Sequence, residues 1–318
     1  MMRKTSEKQE WYRYMCKNRI RARLRQFKLV NPVSFENENW LGIEECHNTI
    51  RSFILSGTPA MIARYGSNEA RITADAIGIK LGAIHRMPPK ALVGINRNAG
   101  VFPYGLETAY KFGMLMEESS KEVDLLGCWD TLMQDYLVDH CCNPYMKRTK
   151  LGNLEPYYSN TPWTESLGGL SVVVIHPFKA TIQEQYQKRK ELFANPVMLP
   201  DFELTVIKAV QTIAYAKDER FKDWFEALDY MTEQVEHTSF DVAIIGCGAY
   251  GFPLAARIKR MGKVAIHLGG ATQLLFGIKG GRWDNNPTIS KLYNESWVRP
   301  LEEDRPENSE LIENACYW

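Results

Sequence analysis

Four short segments of this chain carry the residue types that hold phosphate-bearing groups. The first is the turn 246–251 (GCGAYG), with Gly246, Gly248 and Gly251 in GxGxxG spacing, set between an apolar run at 241–245 (DVAII) and a helix-patterned stretch at 252–261. Glycines there permit positive φ and let the backbone approach a ligand, while the free N–H groups and dipole of the following helix start attract an anion. Ala249 contributes one such amide, and Tyr250 can stack on a base or sugar or cap the sheet. The other segments are RYGSNE at 64–69, HPFK at 176–179 and the stretch from His267 to Gln273. Together they offer the Arg64 guanidinium, the Glu69 carboxylate, two imidazoles and backbone amides, an inventory suited to a pyrophosphate-bearing substrate.

The glycine spacing in a strand-to-helix context reads first as a dinucleotide site. That fold needs an acid about 20 residues on, ending the next strand, to hold a ribose. Here the next strand, 264–268, runs instead into His267, Leu268, Gly269 and Gly270. Little sequence follows to complete such a site. A nucleotide phosphate held by loops from earlier segments fits better than NAD, although the glycines also fit a role in strand-to-helix packing alone.

The elements that must position these loops alternate strand and helix signals, which predicts an α/β layered fold with a mostly parallel, Rossmann-like sheet. Strands are expected at 59–64 (PAMIAR), 123–126, 171–175 (SVVVI), 241–245 and 264–268, and helices at 70–77, 106–121, 129–140, 181–193, 202–216, 218–236 and 252–261. Residues 96–103 (NRNAGVFP) and 144–162 read as loops. In a parallel sheet, ligands gather beyond the strands' C-terminal ends, where all four segments fall. The organisation expected is a basic helical extension over 1–50, an α/β domain over 51–300 and an acidic tail over 301–318; a two-lobed arrangement divided near 165 is the alternative.

Lys and Arg total 39 against 38 Asp and Glu, a net charge of +1, so no global basic field exists to gather nucleic acid. No run approaches the roughly 20 apolar residues of a membrane span, and no signal-peptide core is present, which gives a cytoplasmic location by default. The first thirty residues are nonetheless strongly basic, with Arg13, Lys17, Arg19, Arg21, Arg23, Arg25 and Lys28 among aromatic and apolar residues. Such a helix either docks on the domain or rests on an anionic membrane surface as a peripheral contact. The acidic tail, with Asp304, Glu307 and Glu313, is expected to pack loosely. The seven cysteines show no CxxC pair or metal-ligand spacing and read as reduced thiols.

Over roughly residues 59–283 the chain resembles the GT-D fold glycosyltransferases, a family first catalogued as a domain of unknown function. RYGSNE is similar to its R-[FY]-G-D-G-E motif, and GCGAYGFPLAARIKRMGKVAIHLGG to its closing glycine turn, alanine-rich helix, strand and glycine pair. NAGVFP, PWTESL and HPFKATIQEQYQKR resemble a bacterial polysaccharide-cluster branch.

The resemblance implies transfer of a sugar from a nucleotide sugar, such as a UDP-sugar, to a hydroxyl of a glycan or lipid-linked acceptor. In the family's DxE, two carboxylates stand near a divalent cation; here Ser67 replaces the first, leaving Glu69 as ligand for Mn²⁺ or Mg²⁺. Alternatively Arg64, Lys179 and a helix N-terminus offset the leaving-group charge. Glu69 is thus metal ligand, general base or a plain salt-bridge partner. His176 and His267 are phosphate contacts, acceptor bases or structural strand-end residues. Arg64, Gly66, Ser67, Lys179 and the turn residues are the nucleotide side, and Asn98 and Gly100 line the acceptor side if their loop folds over the cleft. A nucleotide-dependent oxidoreductase and a non-catalytic binding protein are the rival readings.

Overall fold

The computed structural model describes residues 2–27, 40–305, 310 and 316–318; Lys28 of the basic segment and Glu307 and Glu313 of the tail lie outside them. The chain begins with α1 (Met2–Gln26), β1 (Trp40–Leu41), α2 (Ile43–Ser56), β2 (Ala60–Ala63), α3 (Ser67–Lys80), α4 (Pro89–Ala99) and α5 (Leu106–Ser120). It continues through β3 (Leu125–Cys128), α6 (Gln134–His140), β4 (Lys147–Lys150), β5 (Ser171–His176), α7 (Lys179–Gln187) and α8 (Arg189–Leu192). Then follow β6 (Glu203–Lys208), α9 (Trp224–Glu236), β7 (Val242–Ile245), α10 (Gly251–Arg260) and β8 (Val264–His267).

These strands form one sheet in the order β1-β4-β3-β2-β8-β7-β5-β6, and every adjacent pair is parallel. The expected α/β fold with a Rossmann-like parallel sheet is what the chain adopts. The central strands AMIA, VAII and VAIH are unbroken buried runs, as strands must be when helices cover both faces. Alternate residues supply two cores. Met61, Val173, Ala243 and Ala265 join side chains of α3, α5, α9 and α10 on one face, while Ile62, Val174, Ile244 and Ile266 join Ile50, Trp163 and Ile182 on the other. One sheet crosses position 165, so both halves of the chain build the same layer.

Register decides what meets at the sheet's edge. Ile62 pairs with Ile266, Ile266 with Ile244 and Ile244 with Val174. Two residues further along that row stand Arg64, Leu268, Gly246 and His176, so the exits of four strands lie side by side.

Several elements differ from expectation. Residues 202–216, expected as a helix, contain strand β6, which pairs with β5 over six residues. The physical reason is the β-branched run Thr205, Val206, Ile207, whose neighbour β5 offers a full ladder. The following helix begins only at Trp224, where Asp223 caps it by accepting the Glu226 N–H at 2.9 Å. The expected loop at 96–103 starts as the last turn of α4, closed by Gly100 at φ +74°. The helix expected from residue 129 starts at Gln134, and the loop at 144–162 contains strand β4.

Helix α1 docks on the domain. Trp11 is buried and donates its indole N–H to the Ala74 carbonyl at 2.8 Å; Gly78 makes room, since a Cβ there would stand 2.6 Å from the indole. Its outer side presents Arg13, Lys17, Arg19 and Arg23 with exposed Ile20 and Phe27. The tail does not pack loosely at Asp304, which is buried and accepts from the Thr181 N–H (2.8 Å) and hydroxyl (2.7 Å), capping α7. None of the seven cysteines is joined in a disulfide. Among the described residues no helix is long and apolar enough to cross a membrane.

Candidate functional site

The exit of β2 splits two neighbours into opposite roles. Tyr65 is fully buried, stacks on Phe252 with centroids 4.6 Å apart, and bonds the Ser120 hydroxyl at 2.5 Å. Anchoring Tyr65 directs Arg64 the other way, over the Trp129 ring at 5.5 Å, with Gly269 backing its guanidinium. Trp129 is fixed in turn by its indole N–H on the Tyr65 carbonyl at 2.8 Å. Protein surrounds the guanidinium closely enough to push its pKa down by desolvation, yet the side chain keeps a face open to water. Among the described residues no carboxylate oxygen stands within 4.0 Å of it.

Two carboxylates attend Arg64 at longer range, Glu69 and Glu155. Glu69 lies in the first turn of α3 and folds back over Gly66, where a Cβ would meet its Oε2 at 2.1 Å. It also accepts its own backbone N–H, which satisfies a donor of the helix start. A side chain at position 66 would displace the Glu69 carboxylate from this position. Burial raises the Glu69 pKa against the lowering effect of that hydrogen bond and of Arg64. Ser67 is exposed.

Glu155 comes from the segment between β4 and β5, about ninety residues further along the sequence. Burial pushes its carboxyl up to about 7, opposed by the charge of Arg64. Nothing in the sequence marked it: an acid before a proline in a polar, aromatic stretch has no spacing signature. Because the folded chain holds this proton to about pH 7, against the ordinary 4.5, Glu155 stabilises the fold at low pH, and that contribution is lost as the pH rises through 7. We expect the stability of wild type relative to Glu155→Gln, measured by urea unfolding, to fall by about 1–3 kcal/mol between about pH 4.5 and pH 8. A constant difference across that range would show that Glu155 titrates normally.

The glycine turn serves two purposes. A Cβ on Gly246 would stand 2.5 Å from the His176 ring, and one on Gly251 would stand 2.4 Å from Nε2 of His267. Both glycines therefore seat an imidazole from a neighbouring strand exit. Gly248 differs: its φ is +60° and the space where a side chain would point is open. Ala249 is buried beside it. Gly251→Ala is expected to cost about 1–3 kcal/mol by overpacking. Gly248→Ala is expected to cost about 1 kcal/mol from backbone strain. Thermal unfolding of both variants checks this; equal losses would refute the division.

His176 and His267 are buried, and desolvation pushes both down to about 3, so both rings are neutral at physiological pH. His176 accepts the Phe178 N–H on Nδ1 at 3.0 Å, which leaves its proton on Nε2. His267 lies within the field of Arg64, and its Nδ1 is buried without a hydrogen-bond partner.

A cavity of about 100 Å³ adjoins the turn, walled by His176, Phe178, Gly248 and Tyr250 and covered by Tyr317 and Trp318. The tail returns here because Gln273 donates to the Tyr317 carbonyl at 3.1 Å and the Arg282 N–H to the Cys316 carbonyl at 2.9 Å. Tyr250 does not present a free ring: Trp224 stacks on it at 4.6 Å and 6°, and its hydroxyl meets Thr212 at 3.1 Å. Asn98 lines this cavity, and the Gly100 carbonyl accepts from Thr212 at 2.7 Å, tying the end of α4 to the loop after β6. Lys179 begins α7 and is not part of the cavity wall; the N-terminus of its helix is already capped by Asp304.

The structure thus gathers Gly66, Glu69, His267 and Gly269 around Arg64, and places Gly246, Gly248, Tyr250 and His176 on the wall of the cavity at the turn. Missed in sequence were Glu155, Trp129, Tyr317 and Trp318. Among the described residues, no three His, Cys, Asp or Glu side chains are placed to hold a metal ion.

The chain matches no family model and no curated protein. Two solved structures have a similar chain path. One is described as the highly conserved domain of unknown function 1792, with a distinct glycosyltransferase fold, and the other as its selenomethionine-substituted form. Each aligns with a TM-score of 0.43 at 14% identity, covering 84% of this chain and 92% of the other.

Proposed function

We propose that this chain is a glycosyltransferase of the GT-D type. It would move a sugar from a nucleoside-diphosphate sugar to an acceptor hydroxyl in bacterial surface polysaccharide or glycoconjugate synthesis. The observation that carries this reading is Arg64, a desolvated guanidinium without a close carboxylate, at the same C-terminal sheet edge as the open glycine turn, with the exit of β8 between them. A cation so placed is stabilised by an anionic ligand, and a diphosphate accepts its two-pronged hydrogen bonds.

In this reading the diphosphate lies between Arg64 and the turn at Gly248, and the His176 Nε2–H offers it a further donor. The acceptor hydroxyl attacks the anomeric carbon, and its proton passes to a carboxylate near Arg64. The bond from that carbon to the phosphate oxygen breaks, and the electron pair leaves on the nucleoside diphosphate, whose charge Arg64 offsets. Glu155 suits the base role, since its raised pKa is near the working pH. Glu69 is the residue that would hold Mn²⁺ or Mg²⁺, and such an ion would supply further charge neutralisation on the diphosphate. The basic outer side of α1 would serve as a peripheral contact with an anionic inner membrane surface.

Titration with UDP, GDP and NAD, each with and without Mn²⁺, tests the reading. Binding of a nucleoside diphosphate in preference to NAD is expected. Strong binding of NAD alone would replace the proposal with a redox enzyme, and binding of none would leave a non-catalytic protein.

A further inference from the structure

A second cavity lies apart from the glycine turn. It is a groove of about 500 Å³ between α1 and α6, beyond the C-terminal end of β3, with Arg148 of β4 in its lining. Trp129 is the shared wall: Arg64 lies over its ring at 5.5 Å, and the same residue lines the groove.

The lining is unusual in its pairing. Asp130 is held by Arg25, Asp135 by Lys17 at 3.8 Å and Asp139 by Arg148 at 3.7 Å, and all six residues line the groove. Arg21 also lines it and has no carboxylate within 4.0 Å among the described residues, so the groove holds one positive charge in excess. Two of its polar atoms are buried without partners. Gln134, almost fully buried, donates to the Trp129 carbonyl at 2.9 Å but leaves its Oε1 unmatched, and Nε of Arg25 is likewise unmatched. Trp40 and Trp129 add apolar ring surface.

Carboxylate and cation side by side match a sugar's vicinal hydroxyls, the carboxylate accepting from one while the cation donates to the other. Indole rings match the apolar face of the same sugar. We propose that this groove binds the acceptor and that the acceptor is a saccharide bearing one acidic group, for which Arg21 is the counter-ion. The term acceptor rests on the glycosyltransferase reading; the saccharide site does not. Trp129 would then stand where the groove meets the Arg64 side, and the reacting hydroxyl would pass its edge to reach the donor.

The test is a glycan array of matched acidic and neutral oligosaccharides, probed with the full chain and with Arg21→Glu, together with titration of UDP and GDP into both. Acidic glycans are expected to be retained over neutral ones, and Arg21→Glu to weaken them about tenfold or more while leaving nucleotide affinity unchanged. Retention of acidic glycans without nucleotide binding would keep the saccharide site and remove the transferase reading. No glycan retained, equal retention of neutral ones, or an unaffected Arg21→Glu would overturn the proposal. Thermal unfolding of the variant at the wild-type temperature keeps misfolding from mimicking the expected loss.

Discussion

Replacing Arg64 by methionine is expected to weaken nucleoside diphosphate binding about a hundredfold or more while the melting temperature stays at or above that of wild type. The two outcomes belong together. Desolvation is the largest influence on this guanidinium, and no carboxylate stands within 4.0 Å to repay it. Methionine fills similar volume without a charge, and Glu69 and Glu155, already inclined to hold protons, can take them up when the cation is gone. An arginine kept for the fold would behave oppositely, with the melting temperature falling by several degrees and affinity following only through unfolding. Calorimetric titration with UDP or GDP, beside thermal unfolding, separates the cases.

Glu69→Gln is expected to lower transfer about a hundredfold or more, with no loss of stability. Glutamine keeps the shape that Gly66 accommodates, and its amide oxygen can still accept the backbone N–H at the start of α3. It removes the negative charge, which burial makes costly in the folded chain. If Glu69 were only a helix cap, the variant would keep wild-type turnover. Assays of sugar transfer across pH add a second reading: loss of rate in Glu69→Gln with an unchanged pH profile would leave Glu155 as the group that titrates near 7.

These residues were legible to different degrees. The glycine turn and the RYGSNE loop stood out because their spacing is local: strand, turn and helix follow one another within twenty residues, and apolar runs such as AMIA and VAII announce buried strands. The 202–216 stretch misled because Phe202, Val206 and Val210 recur every four residues, as on a helix face. Only the ladder with β5 selects the extended form there. Glu155 carried no signal, since its meaning depends on Arg64, which the sheet brings near across ninety residues.

The residues alone were enough to place a glycine turn between strand and helix in a parallel α/β protein, because backbone freedom at glycine and apolar periodicity are properties of short segments. Tertiary structure divided that turn. Gly246 and Gly251 make room for two imidazoles, and Gly248 alone faces open space. It also brought Glu155 to Arg64 and the tail's Tyr317 and Trp318 over the cavity. The physical reason is that burial, and hence the pKa of a carboxyl or the cost of an unpaired guanidinium, is set by whatever the whole fold packs around a side chain, and neighbours in sequence supply only part of it.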